Sequence, residues 1–329
     1  MERARYWEKA KGKNAHCQLC PQGCVIPPGG TGLCLTRENH GGTLYAINYG
    51  VVVSAALDPV EKKPLYHFHP GQQILSLGTF GCNFKCPFCQ NYEISQHAQA
   101  GRSTTPEQAV ALAKKKHSFG IAFTYNEPLV WYEFVLDTCK AAKRAGLKTV
   151  LVTNGFISER PFRELIPLVD ALNIDIKSVK EEFYNKMCKG TLHPVLKTAE
   201  ISRQYEKHVE ITYLVIPNYN DIRVEYTKLG QWIRRTLGPD TPLHLSAYFP
   251  HHKLKVPPTP VESLTEARDD FRKYLNFVYL GNVVGQDAGD TICPDCGTLN
   301  IRRQHYLPKL LAVDGSKCAN CGRDLGIIQ

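Results

Sequence analysis

Three closely spaced cysteines carry the most specific chemistry in this chain. In Gly81-Cys82-Asn83-Phe84-Lys85-Cys86-Pro87-Phe88-Cys89-Gln90-Asn91 they fall as C-x3-C-x2-C. Three thiolates on one loop suit a soft metal centre. A [4Fe–4S] cluster usually takes four thiolates, so three leave one iron open to a ligand that is not protein. A zinc knuckle instead pairs C-x2-C with a second, distant pair.

Two further sets of cysteines flank this loop. Cys17, Cys20, Cys24 and Cys34 lie among Gly23, Gly29, Gly30 and Gly32. Glycines allow tight turns whose N–H groups face sulfur. Four soft ligands on so short a segment hold zinc or an auxiliary iron–sulfur cluster, with zinc preferred. His16 reads as a loop residue beside them. Near the other end, Cys293, Cys296, Cys318 and Cys321 form two C-x2-C knuckles, the pattern of a zinc ribbon, whose four protein ligands leave no open position. Of the 13 cysteines, only Cys139 and Cys188 lie outside these sets.

The elements that must position the loop alternate strand and helix. Apolar runs at 74–80, 121–125, 148–153, 171–177, 209–216 and 242–248 read as strands. Thr105-Pro106-Glu107-Gln108 is a helix start, with Thr as N-cap, Pro at N1 and Gln at N3. A helix near 129–145 aligns Trp131, Val135, Cys139 and Ala142 on one face and stops at Gly146. Such alternation predicts a parallel sheet flanked by helices. Six units fall short of a closed eight-stranded barrel, so an α/β partial (β/α)6 barrel is expected over 71–285. Residues 1–70, with short alternating runs at 43–48 and 51–55, form an N-terminal cysteine-rich region. Residues 286–329 form the ribbon.

In parallel α/β sheets ligands sit at the C-terminal ends of the strands. There this sequence places the cysteine loop, Asn126-Glu127-Pro128, Thr153-Asn154-Gly155, Asp175-Ile176-Lys177 and His244-Leu245-Ser246-Ala247-Tyr248. Asp175 and Lys177 also read as a local ion pair. His244, His251 and His252 read either as ligand contacts or as a polar rim. Cys188 reads as a hydrogen-atom donor to a substrate radical or, more blandly, as a small half-buried residue. Cys139 belongs to the helix stripe.

The cysteine loop resembles that of radical S-adenosylmethionine (SAM) enzymes. The resemblance implies that the open iron binds the amino and carboxylate groups of SAM, that reduction yields a 5′-deoxyadenosyl radical, and that Phe88 packs near the adenine. Tyr125-Asn126-Glu127-Pro128 stands where the family has a Gly-Gly-Glu-Pro-like motif holding the SAM amino group; the two glycines are absent here. Thr153-Asn154-Gly155 resembles the Asp-Thr-Asn-Gly of glycyl-radical activating enzymes, with Val152 in place of the Asp. Asp175 and Lys177 match their Asp-x-Lys, which implies that Lys177 meets the SAM carboxylate. Lys62-Lys63-Pro64-Leu65-Tyr66-His67-Phe68, Phe249-Pro250, Pro257-Pro258-Thr259-Pro260, Gly281-Asn282-Val283 and the ribbon extend the likeness over nearly the whole chain. This pattern resembles the radical SAM member of the AmmeMemoRadiSam system, related to pyruvate formate-lyase activating enzyme. It implies association with Memo-type and AMMECR-type proteins and an electron donor such as flavodoxin or ferredoxin. The substrate is left open, whether a glycyl-radical enzyme, another protein or a small molecule.

Composition limits the alternatives. No run approaches the ~18 apolar residues of a membrane span. The first residues, Met1 to Lys9, lack the apolar core of a signal peptide, so a cytoplasmic location is expected. The net charge of +9 permits an anionic partner. A metal-stabilised nucleic-acid-binding protein is the rival reading, but no basic stripe with interleaved aromatics supports it.

Overall fold

The computed structural model describes residues 1–283 and 288–329. Its centre is one eight-stranded sheet with strands in chain order: β1 (Ser54–Pro59), β2 (Gln73–Gly78), β3 (Gly120–Phe123), β4 (Lys148–Thr153), β5 (Ala171–Asp175), β6 (His208–Val215), β7 (Leu243–Ala247) and β8 (Val278–Gly281). Strands β2 to β8 run parallel; β1 is antiparallel to β2. Helices α1 (Pro106–Lys115), α2 (Tyr132–Arg144), α3 (Glu159–Leu165), α4 (His193–Gln204), α5 (Arg223–Thr236) and α6 (Val261–Phe271) connect successive parallel strands. The six βα units are therefore present, and two further strands, β1 and β8, extend the sheet at its edges.

Local signals explain several elements. Thr105 Oγ1 accepts from Gln108 N and Gln108 Oε1 accepts from Thr105 N, closing the capping box of α1. The stripe Trp131, Val135, Cys139 and Ala142 is buried. Gly146, at φ 74°, takes the left-handed turn that ends α2. Strand β3 is buried along its whole length, as a central parallel strand must be.

The N-terminal region and the sheet share a core. Ala15, Cys17, Leu19, Ile26 and Leu44 pack in the same apolar cluster as the strands and helices. Arg37, 1% exposed, meets Glu133 of α2 at 2.7 Å. The boundary expected at residue 70 thus falls inside one structure: β1 belongs to the main sheet, and Val60, Leu65 and Phe68 pack on Ile74, Ala122, Val150 and Ala171 of β2 to β5. This segment seals the end of the sheet opposite the cysteine loop. The C-terminal ribbon docks on the seal. Ile328 N donates to His67 O, and Arg303 donates to Tyr66 O while its guanidinium stands 4.4 Å from the Tyr66 ring. The boundary expected at 285/286 lies outside the described residues. Among the described residues no helix is long and apolar enough to cross a membrane.

Candidate functional site

The chain leaves β2 at Thr79 and makes the cysteine loop. Asn126 holds its start: Oδ1 accepts from Thr79 N at 3.1 Å and Nδ2 donates to Gly81 O at 2.8 Å. Asn91 closes it by donating to Tyr125 O at 2.7 Å. Lys85 N donates to Cys188 O, and Pro87 O accepts from Lys253 N and Leu254 N. Gly81, at φ 89°, presses its backbone on the carbonyl of Cys34, where a Cβ would collide. Segments distant in sequence therefore fix the loop from several sides.

Two of the thiols have hydrogen-bonding neighbours. Cys82 Sγ accepts from Phe84 N at 3.3 Å and from Asn154 Nδ2 at 3.6 Å; Cys89 Sγ is 3.2 Å from Ser95 Oγ. Burial pushes the Cys82 and Cys89 thiols up, and a hydrogen bond with Cys188, then burial, does so for Cys86. Without a cation three such thiolates are costly together; a bound metal deprotonates them outright. At least one sulfur pair among the three is more than 4.8 Å apart, wider than one zinc ion sets its ligands. The donor set and spacing fit a cluster of several irons.

Around the loop the structure gathers Phe88, Asn154, Asp175 and Lys177. The buried Phe88 ring lies 5.8 Å from the Lys177 ammonium. Lys177 Nζ pairs with Asp175 Oδ2 at 2.6 Å, so the local ion pair is real. Burial lowers the Lys177 pKa, but Asp175 and the nearby thiols Cys86 and Cys188 outweigh it and raise it. Asp175 Oδ1 is buried with no hydrogen-bond partner. An orphaned acceptor beside an ammonium fits a ligand that carries both a cationic and an anionic group.

Glu127 differs from its expected role. Its carboxylate, 2% exposed, already accepts from Leu129 N (2.9 Å), Thr153 Oγ1 (2.6 Å) and Asn154 N (2.7 Å). The expectation of a direct ligand contact gives way to a positioning one: Glu127 ties the end of β4 to the turn after β3. Burial pushes it up to about 7 against those hydrogen bonds. Asn154, placed by Glu127, reaches Cys82 and also donates to Asn83 Oδ1 at 3.0 Å.

His244 is a clear correction. It is the second residue of β7, not its end, and Nε2 lies 2.6 Å from Glu210 Oε2. Burial alone raises the Glu210 carboxyl; hydrogen bonds from His208 and His244 outweigh that and hold it well below the carboxylate range. Glu210 also accepts from Tyr66 N and His67 N. His244 therefore belongs to the seal. The run expected at 242–248 is observed as Leu243–Ala247, so of His244-Leu245-Ser246-Ala247-Tyr248 only the last residues lie at the C-terminal end of the strand. His251 and His252 do approach the loop: they flank Tyr92, with the His252 ring stacked on it at 4.5 Å, and the next residues bond Pro87 O. Cys188 is fully buried next to Cys86, more enclosed than the half-buried residue expected. Asn83 and Asn91 emerge as loop-fixing residues; only their place inside the cysteine motif hinted at it.

In the ribbon, Cys293 and Cys321 sulfurs are 3.6 Å apart, Cys296 and Cys318 are 3.7 Å apart, and all four lie within 4.8 Å of one another. Tetrahedral zinc at about 2.3 Å from each sulfur sets them about 3.8 Å apart.

Residues 76–228 match the model of the radical SAM superfamily. An uncharacterized protein of Methanocaldococcus jannaschii is 43% identical over 335 residues, covering 100% of both chains. Pyruvate formate-lyase 1-activating enzyme of Escherichia coli is 26% identical over 182 residues, 53% of this chain and 72% of that one. In fold, SAM-bound SuiB of Streptococcus suis aligns with 70% of this chain and 53% of its own (TM-score 0.52, 12% identity). A radical SAM methyltransferase of Sphaerobacter thermophilus aligns with 70% and 71% (TM-score 0.51, 15% identity).

Proposed function

This chain belongs to the radical SAM superfamily, and on that premise we propose that Cys82, Cys86 and Cys89 hold a [4Fe–4S] cluster at which SAM is cleaved reductively, with hydrogen abstraction from a protein or small-molecule substrate. The observation that carries the reading is the set of three thiols, not all within 4.8 Å of one another, beside the Asp175–Lys177 pair, whose Asp175 Oδ1 is buried and unpartnered. When bound, the cluster supplies one electron to SAM, which separates into methionine and a 5′-deoxyadenosyl radical. The protein's own residues do the rest. Lys177, held by Asp175, meets the SAM carboxylate. Asp175 Oδ1 accepts from the SAM ammonium. Phe88 lines the adenine side. Glu127 and Asn126 keep Asn154 and the loop in register. The Cys188 carbonyl anchors Lys85.

The electron comes from a protein donor of flavodoxin or ferredoxin type. Motifs spread over the whole length support membership of the AmmeMemoRadiSam system, with Memo-type and AMMECR-type proteins as associates and the cytoplasm as location. The ribbon holds zinc. Activation of a glycyl-radical enzyme is a second reading, favoured by the likeness to pyruvate formate-lyase 1-activating enzyme. The test is chemical. Anaerobically prepared protein with reductant and SAM should form 5′-deoxyadenosine, and the Cys82→Ala/Cys86→Ala/Cys89→Ala variant should form none. Equal product from both would overturn the assignment.

A further inference from the structure

The four N-terminal cysteines do not have the geometry of the ribbon. Cys17, Cys20, Cys24 and Cys34 line one hollow together with Arg37 and Asn83. Yet among any three of their sulfurs at least one pair is more than 4.8 Å apart. Two sulfurs on directly opposite sides of one zinc ion would be only about 4.6 Å apart, twice the Zn–S length. As placed, no single zinc ion reaches three of these thiols. The Cys82, Cys86 and Cys89 loop shows the same wide spacing, and the ribbon in the same molecule does not.

A second observation concerns charge. Arg37 is 1% exposed, and Glu133 takes only its Nη1, at 2.7 Å. Its Nε and Nη2 are buried without a partner. Unpartnered guanidinium donors are expensive, and a group of buried thiolates beside them would meet that need. Four thiolates spread over several irons carry negative charge and need wide sulfur spacing.

We propose that Cys17, Cys20, Cys24 and Cys34 ligate a second iron–sulfur cluster rather than zinc. Because all four positions are protein thiolates, this cluster has no open iron and cannot bind SAM. It backs directly on the catalytic loop. Asn83, next to Cys82, lines its hollow and accepts from Gln22 Nε2 at its carbonyl (2.9 Å), and the Gly81 backbone abuts Cys34 O.

The test is elemental analysis with electron paramagnetic resonance on the anaerobically purified full-length chain. The parent should contain one zinc and more iron than a single four-iron cluster supplies. Cys20→Ser/Cys34→Ser should lose the excess iron and keep the zinc. The Cys82→Ala/Cys86→Ala/Cys89→Ala variant guards against misfolding of the N-terminal region: it should retain iron whose resonance does not change when SAM is added. Two zinc ions per chain, or loss of all iron in the loop variant, would overturn the second cluster. The first result leaves the SAM-cleaving assignment standing, because that rests on 5′-deoxyadenosine formation.

Discussion

In the ribbon two exposed thiols, Cys296 and Cys321, and two buried ones, Cys293 and Cys318, converge on one point. In the loop, Cys82, Cys86 and Cys89 do not converge in this way and are held from outside by Asn126, Tyr125, Cys188 and Lys253. The ribbon brings its own scaffold, short hairpins such as Val313–Asp314 with Lys317–Cys318. The loop borrows its scaffold from strand ends far away in sequence. On the proposed assignments, a structural ion closes a local knot, whereas a reactive centre needs an open position and a frame that does not depend on the metal. The difference predicts that metal loss unfolds the first and leaves the frame of the second standing.

The largest effect is expected where the metal is the scaffold. Cys293→Ser/Cys318→Ser should lose zinc and, with it, folding energy on the order of 10–16 kcal/mol for the tail. Hydrogen exchange should then quicken across 290–329 and at His69, whose N–H donates to Ile328 O. Unchanged exchange in the tail would break the comparison.

A smaller effect concerns the frame of the loop. The folded value of Glu127, about 7, lies above its ordinary 4.5. The folded protein thus keeps a proton that the unfolded chain releases. This contribution is fully present below about 4.5 and is lost as pH rises through about 7. The size is about 3 kcal/mol at 1.36 kcal/mol per unit. Denaturation of the metal-free protein should show stability falling across that window, with a shallower fall in Glu127→Gln. An identical slope in both would mean that Glu127 does not frame the loop as argued.

The smallest effect is on binding. Replacing Lys177 alone would leave the half-buried Asp175 carboxylate, whose Oδ1 is buried and unpartnered, without its cation, so the informative variant is Asp175→Asn/Lys177→Met. With charge-assisted contacts of about 1.5–3 kcal/mol, SAM affinity should drop roughly 10- to 100-fold while loop iron is unchanged. Calorimetry on the reconstituted protein measures it. Parent-like affinity would separate the pair from the ligand and leave it a purely structural bridge.

What the sequence determined about this protein is local. The spacing of Cys82, Cys86 and Cys89, the paired knuckles of the ribbon, the Thr105–Gln108 box and the glycine stop at Gly146 each act within a few residues, so the chain order carries them. The tertiary structure decided what depends on distant partners. Ser54–Pro59, half-buried and exposed in alternation as far as Leu57 and then buried at Asp58, becomes a strand because Gln73–Gly78 offers it an edge. Val278–Gly281 joins the sheet only through Leu243–Ser246. Glu127 spends its oxygens on residues up to 27 positions away, and His244 turns to Glu210 and the seal, away from any role at the loop. The placement of Cys17, Cys20, Cys24 and Cys34 is likewise a matter of packing: the ribbon thiols close on a point where short hairpins fold on themselves, whereas these four line a hollow on the shared core.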